Sequence, residues 1–167
     1  MPKSRGNGRP TSSARRSSQP ARTPVQEARD CADALFRAAT ECCHQHDRVS
    51  RVHAKSAVEE EVKAAQQACE HCDDALRMLV DSYETAAAHV RPDGADEEWW
   101  HRANALWLAS REYLRRQGGC DEASRELKDH GPERLDALHM EYELEASALL
   151  ALRQASESYQ RQRPSAS

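Results

Sequence analysis

The residues best equipped for chemistry stand in two short clusters. Cys42, Cys43, His44 and His46 form one, and Cys69, His71 and Cys72 the other. Cys42 and His46 are four apart and Cys69 and Cys72 three apart, so on helices each pair shares a face. Thiolate and imidazole are the ligands that tetrahedral Zn²⁺ and soft Cu(I) favour. Cys42, Cys43, His46, Cys69 and Cys72 are therefore the candidate metal ligands, with Zn or Cu as the candidate ion. The same positions fit a plainer role. Cysteine is a common small core residue, and Cys42, Cys69 and Cys72 fall where the apolar repeat places core side chains. A structural zinc site usually carries its CxxC in a loop with Gly or on a knuckle turn, and neither surrounds Cys69 and Cys72. A disulfide joining the two clusters is a third use, open to a chain in an oxidising compartment.

A second constellation is Glu41-x-x-His44 with Glu98-x-x-His101. Ferritin-like bundles build a di-metal site from two such pairs and two further Glu, and Glu145 falls at a core-type position of the last helical segment. Against this, Glu41 and His44 lie off the apolar stripe and Glu98 and His101 at a helix start, where solvated pairs are expected. A third group is aromatic. Trp99, Trp100, Trp107 and Tyr113 cover a face too wide for one packing seam, and Trp and Tyr are common interface anchors. They are the candidate interface residues, with core packing as the alternative. No Ser, Cys or His sits on a strand–turn–helix nucleophile elbow, so no catalytic residue is named. No phosphate-cradling glycine loop and no internal repeat is present.

The elements that must position these residues are helices. Among 167 residues there is no Ile, one Phe, seven Val and 27 Ala. Sheets need the β-branched and aromatic residues that are missing here, whereas Ala, Glu, Leu and Arg favour helix. From Val25 to Arg91 there is neither Gly nor Pro. One helix of that length would run roughly 100 Å. The apolar repeat through Leu35, Ala39, Cys42 and His46 is out of phase with that through Cys69, Cys72, Leu76 and Leu79. The polar stretch Ser50–Ser56 lies between them and is the expected turn, with one very long helix as the alternative. Arg91-Pro-Asp-Gly94 is a second turn. Gly118-Gly119 reads as a helix stop, and Gly131-Pro132 as a stop followed by a start. The expected helices are about 25–49, 54–91, 95–117, 121–130 and 133–160, with a frayed end over 161–167.

The fold expected is all-α: an antiparallel four-helix bundle with long coiled-coil-like helices. The second helix would overhang its neighbours, which favours a homo-oligomer. Residues 1–23 read as a disordered basic N-terminal tail, rich in Ser, Pro and Gly. Lys3, Arg5, Arg9, Arg15, Arg16 and Arg22 give it +6, so the total of −4 hides a body at −10. Such a tail suits phosphate contacts and makes nucleic acid a candidate partner, although it carries no aromatic to stack on bases. No segment has the 18–20 apolar residues of a membrane span, and no apolar run follows the basic residues as in a secretory signal. The expected location is cytoplasmic. The leading functional expectation is a non-enzymatic bundle acting through protein–protein contact, as a homo-oligomer or with another protein. A metal-binding bundle comes next, and a nucleic-acid-associated protein third.

Overall fold

The computed structural model describes residues 21–55 and 58–161. Within them the chain is all-α, with four helices: α1 Pro24–Ala54, α2 Glu59–Ala87, α3 Glu97–His130 and α4 Leu135–Gln160. Their ends follow local chemistry. Thr23 caps α1, its hydroxyl accepting the Gln26 backbone N–H at 3.2 Å, and Pro24, which has no N–H to leave unsatisfied, opens the first turn. Glu59, Glu60 and Glu61 begin α2, and Glu97 and Glu98 begin α3, where the helix dipole favours acids. Lys128 and His130 close α3 with the opposite sign. Gly131 then takes φ 89°, a left-handed value that suits glycine, and turns the chain through a short 3₁₀ segment into α4.

The helices form an up-down-up-down bundle. Arg29 meets Asp96 and His46 meets Tyr113, both pairs 67 residues apart, so α1 and α3 run parallel. Asp33 pairs with Tyr159 and Asp47 with Arg153, so α4 runs against α1. α1 and α2 make one hairpin, α3 and α4 the other, and packing within each hairpin is denser than packing between them. Leu35, Leu76, Leu106 and Leu152, one from each helix, are wholly buried along the axis together with Tyr83 and Tyr113. Much of the remaining core is Ala and Cys, whose small side chains let the helices approach closely.

Three sequence expectations are corrected. The hairpin turn comes later than Ser50: α1 continues to Ala54, because Arg51 and His53 lie on its exposed side and cost nothing there. α2 then ends at Ala87 and is shorter than α3, so the expected overhang of the second helix is absent. Gly118-Gly119 does not stop a helix. α3 runs through it, because Cys120 and Ala123 beyond it are buried, and that burial offsets the roughly 1 kcal/mol that each helical glycine costs. A Cβ at Gly119 would lie 2.6 Å from the Glu141 carboxylate, the far end of a flexible side chain that can move aside.

Of the expected tail, residues 1–20 lie outside the described residues, as does the end beyond Arg161. Arg22 pairs with Asp30 at 3.1 Å, and Thr23 belongs to the cap of α1. Among the described residues no helix is long and apolar enough to cross a membrane.

Candidate metal centre

About midway along α2 and α3, on the side toward the α1–α2 turn, the apolar core gives way to a polar layer. His46 comes from α1, Cys69 and Asp73 from α2, and Tyr113 and Gln117 from α3. One ligand atom each of His46, Cys69 and Asp73 lies within 4.8 Å of the other two. Asp73 is only 2% exposed. Its carboxylate accepts the Tyr113 hydroxyl at 2.8 Å and, through its other oxygen, the Gln117 side-chain amide. Tyr113 has one proton and gives it to Asp73. The contact between His46 Nε2 and the same phenolic oxygen therefore requires Nε2–H to donate. Nδ1 is then the ring nitrogen open to a metal, in the pattern of ligating histidines whose second ring nitrogen is held by a neighbour.

Electrostatics follow from burial. Burial pushes the Asp73 carboxyl above the ordinary carboxylate range, against the pull of Tyr113, His46 and Cys42. Burial and the adjacent Asp73, Cys72 and Glu145 push the Cys69 thiol up to about 12. Cys42 is raised further, again mainly by burial and then by Asp73. The cluster opens into a cavity of about 390 Å³ lined also by Gln117, Cys120 and Glu145. Cys120 donates to Glu145 at 3.3 Å across the α3–α4 pair.

The expected metal ligands are thus only partly brought together. His46 and Cys69 meet as the antiparallel hairpin requires. Cys42 lies beside Asp73, while Cys72 contacts Cys42 and is half exposed. Cys43 points elsewhere, toward Arg153 and α4. Asp73 was not among the expected ligands, yet its signal is in the spacing. The buried stripe of α2 is Ala65, Cys69, Asp73, Leu76, Val80 and Tyr83, so an acid occupies a core position. All six cysteines are free, so the expected alternative of an inter-helix disulfide is not formed.

The Glu-x-x-His pairs do not assemble. Glu41 and His44 are exposed on α1. At the start of α3, Glu98 holds Arg102 at 2.6 Å, and His101 stands 3.7 Å from Glu97. Of the expected interface residues, Tyr113 is instead wholly buried, because its hydroxyl serves Asp73. Trp99 donates its indole N–H to Tyr159 at 3.2 Å under the Arg29 guanidinium. Trp107 packs half-buried against the core with Arg111 4.8 Å over its ring. Trp100 lies 6.0 Å from Trp99, ring to ring.

The class that fold and site define is a four-helix bundle with a mixed His, Cys and Asp donor cluster in one core layer. Comparison with known proteins adds nothing further: no protein-family model, no curated protein and no solved structure matches the chain.

Proposed function

We propose that this protein binds one divalent transition-metal ion of the zinc class, with His46, Cys69 and Asp73 as ligands. The observation that carries this is the mutual approach of three different donor atoms within 4.8 Å. Ligand atoms around a tetrahedral Zn²⁺ stand about 3.5 Å apart, given metal–ligand bonds of about 2.0–2.3 Å. Closing the cluster by about 1 Å is within the reach of side-chain rotation. A buried carboxylate is costly unless paired or metal-bound, and an ion removes that cost by replacing the Cys69 thiol proton and neutralising Asp73. A thiolate ligand persists in a reducing compartment, which keeps the cytoplasm as the proposed location.

The test is elemental analysis of untagged protein dialysed against Zn²⁺ and then against metal-free buffer. The expected result is about one ion per chain, as for a single tetrahedral site, lost in Cys69→Ser and Asp73→Asn. Wild-type protein that retains no ion overturns the reading.

A second reading, association with another protein or a second copy, is favoured by apolar side chains at the end of the bundle where both hairpins turn. Val58 is 67% and Met140 62% exposed, with Leu135 nearby on the other hairpin. Light scattering of the wild type and of Met140→Gln checks it: a monomer in both cases removes self-association.

A further inference from the structure

Resting on that metal reading, we infer that Glu145 of α4 is the fourth ligand, that Cys120 positions it, and that the ion ties the two helical hairpins together. His46, Cys69 and Asp73 all belong to the α1–α2 hairpin. The facing wall of the cavity is built from α3 and α4, and there Gln117 is already engaged on Asp73. Of the two carboxylates on that wall Asp121 is exposed, and Glu145 is the inward one. It is half-buried, and it stands seven residues after Leu138 and seven before Leu152, both buried, so it lies on the inward stripe of α4. Its charge acts on both Cys69 and Asp73. The Cys120 thiol donates to Glu145 Oε2 at 3.3 Å, leaving Oε1 for the ion.

The cavity as a whole has the sign a cation needs. Its lining contains Glu70, Asp73, Asp121 and Glu145 and neither Lys nor Arg. Elsewhere in the molecule acids are met by arginines, as at Asp47–Arg153 and Glu112–Arg116. Here two inward carboxylates, Asp73 and Glu145, line one cavity whose only basic side chain is the His46 imidazole, an arrangement of like charges that favours a positive occupant. On binding, the Cys69 S–H bond breaks, its proton leaves to solvent, and the thiolate donates its electron pair to the ion. One thiolate, two carboxylates and a neutral imidazole then surround the 2+ charge. The coordination spans α1, α2 and α4, across the seam where the hairpins pack less densely.

Titration of the full chain with Co²⁺ tests this, since tetrahedral Co²⁺ reports its ligands by visible ligand-field bands and by near-ultraviolet sulfur-to-cobalt charge transfer. Wild type is expected to show both and to gain in Tm when saturated. Glu145→Gln, close to isosteric, is expected to weaken Co²⁺ binding by about tenfold or more, to keep the charge-transfer band of Cys69 at saturation, and to lose most of the gain in Tm. Cys120→Ser is expected to weaken binding by about tenfold, as for other groups that orient a ligand, with the charge-transfer intensity per ion unchanged.

Far-ultraviolet circular dichroism confirms that each variant is folded, and either one alone suffices for the comparison. Glu145→Gln binding as tightly as wild type overturns the inference while leaving an ion held by the first hairpin alone. A charge-transfer band that shrinks in Cys120→Ser makes Cys120 a ligand and overturns its positioning role. Absence of any charge transfer in wild type removes the metal reading itself, and this inference with it.

Discussion

Two buried tyrosines, at different levels of the bundle, do the same thing in different company. Tyr159 on α4 donates to Asp33 at 2.9 Å, and Tyr113 on α3 donates to Asp73 at 2.8 Å. At the Tyr159 level the acid is half-exposed and the surroundings are aromatic: Phe36 lies 5.6 Å away, ring to ring, and Trp99 donates to the phenol. At the Tyr113 level the acid itself is buried, beside an imidazole, a thiol and an open cavity. An acid at the edge of the core is enough to satisfy a phenol, as Asp33 shows. Burying the acid adds a desolvation cost of several kcal/mol that the phenol does not require. The burial of Asp73 is therefore to be explained by what it faces.

The largest expected effect is at the aromatic level. Phe36→Ala removes a buried ring and should cost about 3–4 kcal/mol in urea unfolding, with Co²⁺ affinity unchanged if the two levels are independent. Tyr113→Phe comes next, at about 2–3 kcal/mol, because it strips a donor from a buried charged acceptor. Saturating Co²⁺ should shrink that loss, since the ion takes over the carboxylate; an undiminished loss would break the distinction between the levels. Tyr159→Phe should cost only about 1 kcal/mol, because Asp33 and the Trp99 indole N–H, both half-exposed, can turn to water.

Gly118→Ala should stabilise the protein by about 0.5–1 kcal/mol. It lies in the helix beside the cavity, and an added Cβ meets nothing within 4 Å. Gly119→Ala should gain less, since Glu141 must move aside.

The smallest effect is on the surface of α3, next to Tyr113. The Arg115 and Arg116 guanidiniums hold the Glu112 carboxyl at about 2, below its ordinary 4.5. A depressed folded-state value means stability that is present above the unfolded pKa and lost as pH falls toward 2. Glu112 is largely solvated, so Glu112→Gln should remove no more than a few tenths of a kcal/mol at neutral pH, visible as a slightly flatter acid-unfolding curve.

The helical class, the hairpin and its approximate register were readable from composition and spacing. That reading put His46 and Cys69 at one height, and the structure agrees. The places where it failed share a cause: one-dimensional patterns do not say which neighbour covers a residue. Ser50–Ser56 looked like a turn because it is polar, but its first residues simply line the wet side of α1. Gly118-Gly119 looked like a stop, but tertiary burial of Cys120 and Ala123 outweighs propensity. Between the adjacent Cys72 and Asp73, hydrophobicity alone favours Cys72 as the core position. A spacing of four from Cys69 and three to Leu76 places Asp73 on the buried stripe instead.

The free cysteines carry a consequence of their own. Cys42, Cys43, Cys69 and Cys120 are all buried, and they are spread over α1, α2 and α3. A thiol reagent reaches such groups only when the helices part, so the rate at which each is labelled is a clock for local opening. Four clocks on three helices would show whether the hairpins breathe separately or together, and Zn²⁺ would slow or leave untouched each one in turn.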